Sequence, residues 1–127
     1  MGDQLADFVI QNHIQGTLIQ CMYFVPGTPV YEANRDRLLH QDWSKYNGNA
    51  VHFPRRMTPY QLQLEHIRAS RKIYSWRRLF SALVREDPIH KVLFLGEFFW
   101  HMSVRSDLKR ELPYLKRISE QAACAPH

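Results

Sequence analysis

Cysteine is scarce in this 127-residue chain, which contains only Cys21 and Cys124. Two thiols cannot build a disulfide framework or a cysteine metal site, and sparing use of cysteine points to a reducing, cytoplasmic setting. Long hydrophobic runs are missing too. The most apolar stretch, residues 89–102, is interrupted by His90, Lys91, Glu97 and His101, whereas a membrane-spanning helix needs about 20 predominantly apolar residues. Met1-Gly2-Asp3-Gln4 lacks the basic-then-apolar order of a secretory signal. No internal repeat or low-complexity segment is present, and no strong charge of one sign. Lys plus Arg is 17 against 12 for Asp plus Glu, a net charge of +5 that permits an anionic partner without requiring one. The sequence therefore predicts no membrane span, no disulfide-stapled secreted fold and no dedicated nucleic-acid binder.

What the chain does have is core material. Hydrophobic residues make up 45% and aromatics 13%, enough for one domain over residues 1–127. The pattern predicts a mainly α fold, four or five helices with one or two short strands. A short helix over 3–13 carries Leu5, Phe8 and Val9 on one face and ends by Gly16. Residues 17–25 (TLIQCMYFV) are β-branched and aromatic, bounded by Gly16 and Pro26, which predicts a strand. A second extended piece is expected at 50–53. Three helix starts pair a capping residue with proline: Thr28-Pro29, Thr58-Pro59 and Asp87-Pro88. They open helices over 29–39, 59–85 and 88–103, and Ser106 can cap a last helix through Ile118. On the longest, Leu62, Ala69, Ile73, Trp76, Phe80, Leu83 and Val84 share one stripe, so Trp76 is expected in the core, packed on the 88–103 helix. Asn47-Gly48 reads as a turn, and 121–127 as a tail.

Chemistry-bearing constellations are thin. The seven histidines (His13, His40, His52, His66, His90, His101, His127) include no pair at the spacing of a helical zinc site, so no metal ligands are expected. Cys21 lies inside an apolar segment, as an inert buried thiol would. Ser44, Ser75 and Ser81 lack the glycine context of a nucleophile elbow. Arg71, Arg78 and Arg85 recur every seven residues, but Glu65, Glu86 and Asp87 dilute the field, and the stripe reads as the solvated face of a helix.

One ordered series of motifs is more specific. Phe24-Val25-Pro26-Gly27-Thr28-Pro29-Val30-Tyr31 is followed by Asp42-Trp43-Ser44-Lys45-Tyr46-Asn47-Gly48, then Val51-His52-Phe53-Pro54 with Met57-Thr58-Pro59, then Tyr74-Ser75-Trp76-Arg77. No single block carries the resemblance, but the four in order over 24–77 resemble the carboxy-terminal part of radical S-adenosylmethionine (radical SAM) proteins that often carry a cobalamin-binding domain. The resemblance implies a parent fold built on an incomplete (β/α) barrel. There a C-x3-C-x2-C motif holds a four-iron four-sulfur cluster that binds S-adenosylmethionine and generates a carbon radical. Residues 17–25 would be the last barrel strand, residues 1–28 the remnant of the barrel end, and 29–127 a helical extension. Phe24, Val25, Pro26 and Gly27 would sit where the barrel packs against the adenine, a cofactor-binding role that holds only in the intact parent.

This chain has no such cysteine motif, and a cluster needs three thiolates. It is expected to hold no cofactor and to be inactive alone. Two functions remain open. One is a non-catalytic carboxy-terminal piece of a radical SAM enzyme, partnered by the barrel. The other is a stand-alone helical interaction module that dimerises with a second copy through its apolar helix.

Overall fold

A computed structural model describes residues 1–14, 16–40, 42, 46, 49–85 and 87–124. The Trp43–Lys45 and Asn47-Gly48 positions of the sequence motifs lie outside the described residues, as does the end of the expected tail. The fold is mainly α: α1 (Gly2–Gln11), α2 (Pro29–Glu32), a 3-10 turn (Arg35–Arg37), α3 (Pro59–Ile73), α4 (Trp76–Arg85) and α5 (Pro88–Cys124). Among the described residues the extended pairing is a single antiparallel bridge, Leu38 with His52.

The three capped starts form as the sequence predicts. Thr28 Oγ1 accepts the Tyr31 amide at 3.3 Å, with Pro29 in the first turn. Thr58 Oγ1 accepts the Gln61 amide at 3.1 Å while Gln61 Oε1 accepts the Thr58 amide at 3.0 Å, a reciprocal capping box. Asp87 Oδ1 accepts the His90 amide at 3.0 Å. Each satisfies donors that a helix start leaves without intrahelical partners.

Four expectations are corrected. Residues 17–25 are not a strand but a segment without regular secondary structure, and 50–53 pairs elsewhere. The Leu39 amide donates to the Val51 carbonyl at 2.9 Å and the Phe53 amide to the Arg37 carbonyl at 2.8 Å. The helix expected over 29–39 is α2 plus the 3-10 turn, and it gives way to that pairing. The helix expected over 59–85 breaks at Tyr74-Ser75. Ser75 precedes α4 where serine is favoured, and Arg78 Nη1 donates at 3.0 Å to the Ile73 carbonyl that the break releases. Finally, the helices expected at 88–103 and from Ser106 are one, α5, which carries Pro113 inside it. Proline cannot donate to the carbonyl four residues back, that of Lys109.

The chain divides into two compact units. Unit 1 is Met1–Ile19 with Glu65–Lys109, and unit 2 is Gln20–Leu64 with Arg110–His127. In unit 1 the core is Ala6 and Val9 from α1 with Ile73, Tyr74, Leu79 and Phe98, covered by Ile19, Phe94 and Leu95. Gly2 is buried so close to α3 that a Cβ there would overlap the Glu65 carbonyl oxygen. Trp76 is not in this core. It is 58% exposed and only its edge meets Phe98, at 4.8 Å between ring centroids. The break before α4 re-aims the stripe, so Leu79 and Ala82 turn inward while Trp76, Phe80 and Val84 face out.

In unit 2, Cys21, Ala50 and Leu115 form the core with Leu39, Tyr60 and Leu62. Gln63, fully buried, fastens the chain before the bridge. Its Oε1 accepts the Ala50 amide at 2.9 Å and its Nε2 donates to Asn49 Oδ1 at 2.8 Å. A buried amide must find such partners, because leaving one unpaired costs roughly 1–3 kcal/mol.

Candidate functional site

The segment singled out in the sequence, Phe24-Val25-Pro26-Gly27, belongs to unit 2. Gly27 takes a positive φ of 79°, which glycine adopts without a Cβ penalty. The turn closes through the Thr28 amide and hydroxyl, both donating to the Val25 carbonyl at 3.2 and 2.6 Å. Phe24 is buried with its ring 4.9 Å from that of His52, while Val25 and Gly27 are exposed. The structure thus brings Phe24 and the Val51–Phe53 motif together in one packing contact. Burial, with the Arg37 charge second, holds the His52 imidazole below its ordinary value.

The most developed polar constellation lies in unit 1, and the sequence reading missed it. Its hub is Tyr74, at the break between α3 and α4. The phenol oxygen accepts the Thr17 amide at 3.2 Å and lies 2.8 Å from the Thr17 carbonyl and 3.0 Å from Glu97 Oε2. The Tyr74 ring stacks on His101, with centroids 4.0 Å apart and planes 18° from parallel. His101 Nδ1 is 3.4 Å from Ser70 Oγ, and its Nε2 is 3.3 Å from the Thr17 carbonyl. His101 Nε2–H can donate to the Thr17 carbonyl and Ser70 O–H to His101 Nδ1, while the single phenol proton of Tyr74 is shared between two acceptors, the Thr17 carbonyl and the Glu97 carboxylate.

Burial pushes the Tyr74 phenol up to about 12, reinforced by the neighbouring Glu97 charge. Burial likewise lowers His101, with the His66 and Arg105 charges in the same direction and the Thr17 hydrogen bond opposing. A protonated phenol and a neutral imidazole are fixed donors rather than nucleophiles. The one sequence sign of the hub was the tyrosine–serine pair inside an otherwise regular helical stripe.

The donor set does not suit a four-iron cluster. Cys21 is buried and its thiol is pushed up to about 12 by burial, the opposite of the thiolate that iron requires. Among the described residues no three His, Cys, Asp or Glu side chains gather as metal ligands. The histidines are dispersed: His52, His66 and His101 are buried, His40 stacks on Tyr114, and His90 pairs with Asp87. The arginine stripe is interrupted by the same break, with Arg71 on α3 and Arg78 on α4 held by the Ile73 carbonyl. Among the described residues no helix is long and apolar enough to cross a membrane.

With this geometry established, the molecule's class is a small mainly helical protein in two units. Comparison with known proteins adds a direction. The chain is similar to two methyltransferases of Chlorobaculum tepidum. Against the bacteriochlorophyllide d C-12(1)-methyltransferase it is 29% identical over 91 residues, which is 71% of this chain and 20% of that protein. Against the bacteriochlorophyllide d C-8(2)-methyltransferase it is 30% identical over 80 residues, 61% of this chain and 18% of the relative. The chain thus spans about a fifth of the length of the curated relatives it matches. No family model matches it, and no solved structure does.

Proposed function

We propose that this chain does the work of the carboxy-terminal part of a radical SAM methyltransferase, packing against a cluster-bearing barrel without carrying the chemistry itself. Two facts support the reading. The four motif blocks between residues 24 and 77 resemble radical SAM proteins, and the relatives that the chain matches over a fifth of their length are methyltransferases by name. Cluster and S-adenosylmethionine then belong to the cysteine-bearing part, since Cys21 is unsuited to iron. In the assembled enzyme the turn formed by Phe24, Val25, Pro26 and Gly27 would lie against the adenine, with Val25 and Gly27 exposed and Phe24 buried.

The observation that carries the packing role is the apolar face of α4, with Trp76, Phe80 and Val84 exposed by 58, 64 and 82%. An amphipathic helix normally buries such a stripe, and a contiguous exposed apolar surface marks an interaction site. The test is anaerobic co-expression with a C-x3-C-x2-C polypeptide encoded by the same or a neighbouring reading frame. The reading expects a stable complex with methyl transfer, and no stoichiometric cluster on this chain alone. A chain that takes up the cluster by itself would overturn it.

A second reading rests on α5, where Val92, Phe99 and Trp100 are also exposed. It makes the chain a stand-alone module that dimerises through this helix. Sedimentation equilibrium separates the two: a dimer persisting at micromolar concentration supports the module, and a monomer supports the enzyme part.

A further inference from the structure

We infer that unit 1 carries a binding site for a small ligand with an apolar ring body and one anionic group, a carboxylate or a phosphate. A cleft of about 600 Å³ opens between the end of α1, α4 and the first turns of α5, within the roughly 300–1,000 Å³ of small-molecule pockets. Ile10, Leu93 and Phe94 give it apolar walls, and His13, Arg78 and His90 bring three basic side chains to the same space. Among the described lining residues Glu97 is the one acid, and its carboxylate already receives the Tyr74 phenol at 3.0 Å.

The parts are preorganised by contacts the fold makes for its own reasons. Arg78 is anchored through Nη1 on the Ile73 carbonyl and lies over the Phe94 ring, 5.6 Å from its centroid. Phe94 in turn rests on Tyr74, with ring centroids 5.8 Å apart. His90 is oriented by Asp87, Nδ1 to Oδ2 at 2.7 Å. Gly16, at φ 71°, lines the mouth where a Cβ would come within 3.1 Å of Glu97 Oε1. An aromatic ring beside a held guanidinium recognises an apolar body and a planar anion together. Arginine's fork matches carboxylate and phosphate oxygens, and its position costs little further ordering on binding. This site is independent of the enzyme reading, since it is complete within unit 1 whether or not a barrel packs against the chain.

The test is a titration of the 15N-labelled chain at low ionic strength with three probes sharing one ring body: naphthalene-2-carboxylate, 2-naphthyl phosphate and neutral 2-naphthamide. Saturable shifts of the Gly16, Ala82 and Phe94 amides are expected. The better anion should bind at least about tenfold more tightly than the amide, a difference typical of one good charged contact. A tighter carboxylate assigns the ligand to carboxylic acids, and a tighter phosphate to phosphate esters. Arg78→Met should abolish the preference for anions. Ala82→Leu, which fills the cleft without changing charge, should weaken all three probes and keep the preference. Equal binding of the three probes would overturn the proposal. So would shifts confined to Trp76, Val84 and Phe99, or an anion preference that survives in a folded Arg78→Met chain. If Arg78→Met does not fold, Ala82→Leu decides: undiminished binding of the anions by that variant overturns the site.

Discussion

The Tyr74 phenol oxygen meets both backbone groups of Thr17, accepting its amide at 3.2 Å and lying 2.8 Å from its carbonyl. A strand would have satisfied these groups with a neighbour, and here one side chain does so. The contact sits at the end of α3, where the Tyr74 amide still donates to the Ser70 carbonyl at 3.0 Å while its side chain reaches Thr17. Tyr74→Phe keeps the ring on His101 and removes the partner of the Thr17 amide and of Glu97. The expected loss is about 1–3 kcal/mol, the cost of leaving buried polar groups unmet. Urea denaturation measures it, and the Thr17 amide should lose hydrogen-exchange protection in the same variant.

Trp76 and Phe98 meet edge to face, yet they should respond differently to truncation. Phe98 is 1% exposed, and Phe98→Ala should cost about 3–5 kcal/mol. For Trp76→Ala only the edge contact is at stake, worth about 1 kcal/mol. Chemical denaturation of the two variants side by side checks the ranking. A larger loss at Trp76 would mean that the stripe is buried after all.

Acid should destabilise the fold through its buried imidazoles. His101 and His52 both titrate below the ordinary 6.5, chiefly because burial disfavours the charged form. The folded state therefore binds fewer protons than the unfolded chain below about pH 6.5. Their contribution is fully present above that value and is lost as pH falls through the depressed folded values. The urea midpoint should drop between pH 7.5 and 5.5, and His101→Gln should flatten that dependence. A midpoint that rises on acidification would contradict the assignment of His101 as neutral.

Cys21 should be chemically silent. Its thiol is buried and pushed up to about 12, so a Cys124→Ser chain should react with a thiol-specific disulfide reagent at pH 8 only after urea is added. Rapid labelling without urea would place Cys21 at the surface.

The parts of the fold that were legible in the sequence are those decided within a few residues. Thr28, Thr58 and Asp87 announce their helices because cap and proline act on the turn that contains them. The mainly α class follows from the same periodicities. What was not legible depends on partners distant in sequence. Residues 17–25 have strand composition, but Val51 and Phe53 pair with Leu39 and Arg37 instead. The apolar spacing from Leu62 to Val84 runs over two helices instead of one, so Ala69 and Ile73 are buried while Trp76, Phe80 and Val84 face out beyond the break, where Tyr74 meets Thr17 and Arg78 meets the Ile73 carbonyl. At the candidate site the Pro26-Gly27 turn could be read directly, whereas the burial of Phe24 on His52 could not. The Tyr74–Glu97 contact and the cleft beside it join residues that no local pattern connects.

The central claim is that the exposed face of α4 is a docking surface for a cysteine-bearing barrel. Hydrogen–deuterium exchange tests it most directly, on the chain alone and then mixed with a C-x3-C-x2-C radical SAM barrel supplied as a separate polypeptide. The account predicts new protection across Trp76–Arg85 and the first turns of α5, with Val84→Glu abolishing both the protection and methyl transfer while the partner keeps its cluster absorption. Unchanged exchange across α4 in a mixture that still transfers methyl groups would contradict it.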